Sequence, residues 1–252
     1  MSSFDDTRLS SGRKSLFLLT VLVALGCSAL GMWQLGRLFD RRARNRVALA
    51  EREQPPIDLN RMGLTGPTSY RPATVEGSYD ADREILLRGR VYRGTPGIQV
   101  VTPLLRPGTD TAVLVNRGFV PTPDAGAPPT REYFREPGPQ RVTGIAISVP
   151  DDGDGQPLQT PAGETWHRLD LSALRARLPY PIAPYYVLAA PEPGSVEHTI
   201  DGRVFPMRAD PPALDDGPHL SYAVQWFLIG GSALGFGILF VLRRTGRQDL
   251  VD

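Results

Sequence analysis

The sequence predicts a membrane protein in which two transmembrane α-helices, one near each end, flank a mainly antiparallel β domain, a small barrel or sheet, that lies outside the cytoplasm and carries one short helix. Three observations predict it. Ser15 to Leu38 contains no charged residue before Arg37, and its polar breaks before that arginine are Ser15, Thr20, Ser28 and Gln34. Leu220 to Leu242 is apolar apart from Ser221, Gln225 and Ser232. Between them, short runs of Val, Ile, Leu, Thr and aromatic residues alternate with Gly, Pro and Asp.

Residues 1–14 read as a cytoplasmic N-terminus and 15–38 as the first span. A cleaved export signal, or lipidation of Cys27 in "ALGC", would require the apolar run to stop early, whereas it continues through Leu30 and Met32 to Leu38. Asp5 and Asp6 stand where a mitochondrial import segment carries no acid, which leaves a bacterial plasma membrane. Residues 39–56 continue as a juxtamembrane helix, free of Gly and Pro until Pro55 and Pro56.

Residues 57–217 form the β-rich domain. Strand character lies in Pro72–Tyr79, Arg83–Arg90, Gly97–Leu105, Thr111–Val120, Arg141–Val149, Thr165–Leu171 and Pro184–Ala190. "DLSALRARL" predicts the short helix, capped by Asp170 and stopped before Pro179. Pro121 to Pro139 and "DDGDGQP", Asp151 to Pro157, read as surface loops. A calcium loop starting at Asp152 would need glycine at its sixth position and glutamate at its twelfth, where Pro157 and Gly163 stand. Neither an internal repeat nor a coiled-coil heptad is evident. Residues 218–242 are the second span and 243–252 a cytoplasmic tail.

Orientation follows from charge near the spans. The second has Asp215 and Asp216 before it and Arg243, Arg244 and Arg247 after it, which places its C-terminal end inside. The first votes both ways, with Arg8, Arg13 and Lys14 on one side and Arg37, Arg41, Arg42, Arg44 and Arg46 on the other. Two spans put both termini on the same side, so the chain is multi-pass with both ends cytoplasmic. The arginines after Leu38 then lie outside, against the usual bias, and either bind lipid phosphates or serve a site.

The net charge of +1 gives no field for nucleic acid, and a single cysteine allows neither an internal disulfide nor a two-cysteine metal site. No H-E-x-x-H, phosphate-binding glycine loop or G-x-S-x-G elbow occurs, so no enzyme is indicated. His167 and His198 read as structural or surface groups. His219 differs. It opens the second span, and at ~100° per residue it shares a stripe with Tyr222 and Trp226. On the first helix Trp33, Gln34 and Arg37 put an indole, an amide and a fixed cation in one patch suited to a carboxylate. Cys27 with Gly31, and Gly231 with Gly235, are small residues at a spacing that favours close helix approach.

These residues also carry a resemblance. Gly31, Trp33, Gln34, Leu35 and Arg37 are similar to the G-x-W-Q-L-x-R motif of the Surfeit-locus cytochrome oxidase assembly factors. Asn116–Pro121 resembles their N-R-G-W-[VI]-P strand end, with Phe119 for tryptophan. His219, Leu220, Tyr222, Ala223, Gln225, Trp226 and Phe227 resemble H-L-x-Y-A-x-Q-W-F. "LFD" after Arg37 replaces a more common Trp-Lys ending.

The resemblance implies an assembly factor for haem-copper cytochrome oxidase that assists insertion of haem a into the catalytic subunit. His219 would then be a transient ligand of the haem iron, Tyr222 and Trp226 would lie beside the ring, and Arg37 with Arg41 would meet the propionates. The implied partners are the oxidase catalytic subunit, haem a synthase and membrane lipids. The alternative is a cofactor-free accessory scaffold bound to the oxidase or a respiratory supercomplex. A copper chaperone ranks last, because Cys27, Met1, Met32, Met62 and Met207 are scattered.

Overall fold

The computed structural model describes residues 3–61, 69–122, 135–160, 163–191, 198–200, 203–208 and 211–245; for residues 3–13, 160, 198–200, 203–205 and 243–245 it describes only the backbone. The core of the proline-rich excursion, the side chains of Arg8, Arg13, His198, Arg243 and Arg244, and Arg247 therefore lie outside the described residues. The chain divides into two units, one made of residues 1–46 and 214–252, the other of residues 47–213.

The first unit is a pair of helices. Helix α1 runs Ser3–Arg52 without a break, ending before Pro55 and Pro56, where the missing amide hydrogens and fixed φ stop it. The last helix, α3, runs His219–Thr245. Both are long and apolar enough to cross a membrane. They lie antiparallel, since early residues of α1 meet late residues of α3: Thr20 meets Gly237, Ala24 and Cys27 meet Gly230, Gly31 meets Phe227, and Gln34 meets His219.

The inward positions on α1 are Thr20, Ala24, Cys27, Gly31, Gln34, Leu38, Arg41 and Asn45, and those on α3 are His219, Ala223, Trp226, Gly230, Ala233 and Gly237. Each series alternates steps of four and three residues, the ~3.5-residue period of a left-handed helix pair. A heptad seam is therefore present where the sequence suggested none, because it is written in small and polar residues. The predicted Gly231 and Gly235 pair is also corrected. A Cβ at either would meet nothing within 4 Å, whereas one at Gly230 would lie 3.0 Å from the Cys27 Cβ and one at Gly237 3.0 Å from the Thr20 Cβ. Backbones approach closest where no side chain intervenes, which favours pairing in an apolar medium by dispersion.

The second unit is built on a barrel. Strands β1 (Ile57–Asp58), β2 (Arg71–Tyr79), β3 (Ile85–Tyr92), β4 (Thr95–Leu105), β5 (Ala112–Pro121), β6 (Pro139–Ser148), β7 (Pro157–Thr160), β8 (Gly163–Trp166) and β9 (Ile182–Ala189) form one sheet in the order β1-β2-β6-β9-β5-β4-β3-β8-β7. A further pairing of β2 with β4, Ser78↔Leu105 and Tyr79↔Leu104, closes β2, β6, β9, β5 and β4 on themselves. Strand β4 serves both neighbours, pairing with β3 over Thr95–Val101 and with β2 at Leu104 and Leu105, while its register with β5 shifts between Val100 and Val101, where Arg117 is the extra residue of a bulge in β5. The sheet is mainly antiparallel, with parallel pairings of β1 with β2, β3 with β8 and β5 with β9. A separate hairpin joins β10 (His198–Ile200) to β11 (Arg203–Phe205).

Period-two alternation along β5 explains the two cores. Val113 and Val115 fill the barrel with Val75, Leu104, Tyr185 and Val187, while Ala112 and Leu114 face the other way, against Trp166, Leu171 and Leu174. The short helix α2 (Leu171–Arg177) covers that outer face. Its cap is Asp170, whose carboxylate accepts from the amides of Ala173 (3.0 Å) and Gly153 (2.7 Å). The loop that suggested calcium instead wraps this helix start, with Asp151 accepting from the Ser172 amide at 3.1 Å. One expected strand is shorter: Thr165–Leu171 is strand only to Trp166, because Asp170 turns the chain into α2.

Candidate functional site

Two motif-bearing regions position polar chemistry, one in each unit. In the β unit, the run Asn116-Arg117-Gly118-Phe119 ends β5 as a structural node. Asn116 Oδ1 accepts from the Gly118 amide at 3.1 Å, fixing the bulge. Gly118 has φ 126°, and there the chain exchanges two backbone hydrogen bonds with Met207, Phe119 N–H to Met207 O at 2.9 Å and Met207 N–H to Phe119 O at 2.8 Å. Arg117 is 1% exposed and donates to Glu84 (3.2 Å), Glu136 (3.0 Å) and Thr102 Oγ1 (3.3 Å), with its guanidinium 4.8 Å from the centre of the Tyr79 ring. Arg208 also pairs with Glu136 at 2.9 Å. Removing any one member would leave an uncompensated buried charge, so the members of this node depend on one another. Sequence reasoning assigned these residues no role. Their strand-end position was legible, but the distant Glu84 and Glu136 carry no local signal.

In the helix unit, the arginines of α1 divide into two groups. Arg41 donates through Nε to the Asp215 carbonyl and through Nη2 to the Asp215 carboxylate, both at 2.7 Å, and Asn45 donates to the same carbonyl at 2.8 Å. Arg42 grips Asp216 at 2.7 and 2.9 Å, and that hydrogen bond holds the Asp216 carboxyl below its usual range. Gly217, at φ 67°, then turns the chain into α3, with its amide on Asp215 Oδ1 at 3.0 Å. Arg41, expected to meet a ligand carboxylate, is thus committed to Asp215. Arg37 is exposed and has no partner among the described residues.

The candidate residues gather around the entry to α3. His219 Nδ1 lies 2.9 Å from Gln34 Oε1, joining the two helices at their seam. Both residues are half-buried, as is Trp226, while Trp33 is 59% and Tyr222 47% exposed. Helical phase locates the rest. At ~100° per residue, Arg37 lies roughly 80° and Trp33 roughly 130° around α1 from its seam, and Tyr222 roughly 70° around α3 from its own. Because the helices are antiparallel, these displacements fall on the same flank of the pair. Phe227, displaced the other way, lies over Gly31 on the opposite flank, where a Cβ on Gly31 would be 2.6 Å from its Cε1. That flank therefore carries the Tyr222 phenol and the Arg37 guanidinium, which has no partner among the described residues, with the exposed Trp33 indole behind it and Trp226 and the half-buried imidazole at the seam.

This arrangement limits its own chemistry. No group of three or more His, Cys, Asp or Glu able to hold a bare metal ion occurs among the described residues.

The SURF1 family model matches residues 21–231, which takes in both helices' motif ends and the whole barrel. The chain belongs to the SURF1 family. Relatives include a SURF1-like protein of Monosiga brevicollis, 28% identical over 234 residues, covering 86% of this chain and 83% of that one. A SURF1-like protein of Mycobacterium tuberculosis is 28% identical over 234 residues, 88% of this chain and 80% of its own. Surfeit locus protein 1 of Homo sapiens is 26% identical over 247 residues, 90% of this chain and 78% of its own. The resemblance read from the three motifs is to this same family, and the motifs fall in different places in the fold: Asn116–Phe119 forms the bulged end of β5, while Trp33–Arg37 and His219–Phe227 meet at one end of the helix pair.

Proposed function

We propose that this SURF1-family protein is a membrane-anchored assembly factor for haem-copper cytochrome oxidase, assisting delivery of haem a to the catalytic subunit. The observation that carries the reading is the α3 entry, where His219 meets Gln34, with Tyr222 and Trp226 on the following turns of α3, Trp33 and Arg37 on the same stretch of α1, and Arg37 without a partner among the described residues. Haem is the cargo of this proposal. The imidazole would offer one nitrogen to the iron, the aromatic residues would cover apolar ring surface, and Arg37 would pair with a propionate.

Membrane placement is supported by the outward faces of both helices, where Leu18, Leu22, Leu25, Leu228 and Leu239 are each more than half exposed. Apolar surface of that extent is at home in lipid. In this reading the chain sits in a bacterial plasma membrane with both termini cytoplasmic and the barrel outside. Haem a synthase is the upstream partner, the oxidase catalytic subunit the downstream one, and lipid surrounds the helices.

The test is His219→Ala in cells assembling the oxidase, with haem a content and the absorption spectrum measured on both the oxidase and the purified protein. A fall in oxidase haem a together with loss of a Soret band from the purified protein is expected. An unchanged oxidase spectrum overturns the ligand role, and no Soret band in the unmutated protein supplied with haem a favours a cofactor-free scaffold.

A further inference from the structure

The contact between Gln34 and His219 determines more than proximity. An imidazole has one bare nitrogen when neutral, and whichever ring nitrogen donates a hydrogen bond leaves the other bare. Gln34 turns its Oε1, an acceptor with no hydrogen to give, toward Nδ1 at 2.9 Å. In this orientation the contact is a hydrogen bond only when Nδ1 carries the proton, which makes Nε2 the bare nitrogen of the neutral ring. The opposite amide orientation, with Nε2 of glutamine donating to Nδ1, would put the proton on the histidine Nε2 and leave no nitrogen able to bind a metal.

We infer that Gln34 is a positioning residue that locks His219 in its Nδ1–H tautomer and so keeps Nε2 ready as a ligand for the iron of a haem. The inference rests on the haem reading for its purpose, but the tautomer itself does not. Several features make the lock rigid. Gln34 and His219 are both half-buried at a seam where Gly31 and Ala223 allow the helices to close. The turn entering α3 is pinned by Arg41, Arg42 and Asn45 on Asp215 and Asp216, so His219 cannot slide along α1. Ser221 and the Tyr222 amide both bond the Pro218 carbonyl, at 2.8 and 3.1 Å, which anchors the first turn of α3. Orientation of a metal-binding imidazole by an acceptor on its second nitrogen is a general device, and loss of that acceptor commonly weakens metal binding about 10–100-fold.

The experiment uses the full chain in detergent micelles with ¹⁵N-labelled histidine. In the haem-free protein, NMR at a pH where His219 is neutral should show Nδ1 of the protonated type and Nε2 of the bare type, assigned against His219→Ala. Gln34→Glu keeps an acceptor and should keep this pattern; Gln34→Leu removes it and should produce a mixture of both tautomers. Titration with ferric protoporphyrin IX should then give about 10–100-fold weaker binding to Gln34→Leu than to the unmutated protein. A predominantly Nε2–H histidine in the unmutated protein overturns the inference, whether or not either variant folds. The Nδ1–H tautomer with no spectral response to ferric protoporphyrin IX or haem a overturns the haem reading, while the hold of Gln34 on the imidazole stands.

Discussion

Replacing Gly118 with alanine tests whether the strand end in Asn116–Phe119 holds the β unit together. A Cβ at Gly118 would lie 2.7 Å from the Met207 carbonyl carbon and closer still to its oxygen. The obstacle is backbone, so it cannot swing aside as a long side chain would. Holding a non-glycine residue at φ 126° costs about 1–3 kcal/mol. Separating the strand from Met207 to make room sacrifices the two hydrogen bonds of 2.9 and 2.8 Å, worth about 1–3 kcal/mol together. The sum, about 2–6 kcal/mol, is a large part of the ~5–15 kcal/mol that stabilises an ordinary domain. At about 2–4 °C per kcal/mol for a unit of this size, the melting temperature should fall by about 10 °C. Trp166, 2% exposed in the outer core, reports on this unit by fluorescence once Trp33 and Trp226 are replaced by phenylalanine, since the chain has 3 tryptophans. Gly89→Ala is the control, because Gly89 has φ 70° but nothing within 4 Å of a built Cβ. If Gly118→Ala melts no lower than Gly89→Ala, the close approach to Met207 does not stabilise the fold and the reasoning fails.

Two further outcomes follow from the same geometry. Gly237→Val should force the helix pair apart at Thr20, whereas Gly231→Val should leave it closed; spin labels on the two helices in detergent would show a widened distance for the first variant alone, and equal distances would refute the seam. Asp170, held at a pKa of about 2 chiefly by the Ala173 amide and the Ser172 hydroxyl, has a folded value below the ~3.9 of an unfolded aspartate. Its stabilising contribution is therefore complete above roughly pH 4 and is lost as pH falls toward about 2, so an acid titration of Trp166 fluorescence should show a limb in that window that Asp170→Asn removes.

The helices and most strands were legible because their signals are local: apolar length, period-two alternation, an aspartate cap and a proline stop. The five main barrel strands deviate from their expected bounds by at most two residues. Strand partnership was not legible, since the parallel pairing of β5 with β9 joins residues far apart in the chain that no periodicity relates. The short β7, β10 and β11 lack enough residues to show alternation. Asp215 and Asp216 were visible as charge beside the second span, but their pairing with Arg41 and Arg42 appears only when antiparallel helices set them opposite one another. The same juxtaposition moves Gln34 from a patch with Arg37 to the side of His219. The Cys27 and Gly31 signal identified the right face of α1, while the glycines of α3 were misread because four of them fall between 230 and 237 and only phase separates the buried pair from the exposed one.

The seam also sets an order of events during synthesis. Its two sides are separated by nearly the whole β unit, so α1 is complete long before Asp215, Asp216 and His219 have been translated. Throughout that interval Arg41 and Arg42 lack their aspartates, and the small-residue groove along α1 stands open. The helix pair can consequently close only after the β unit has been translated, and the imidazole reaches its glutamine only in a chain whose β unit has already emerged.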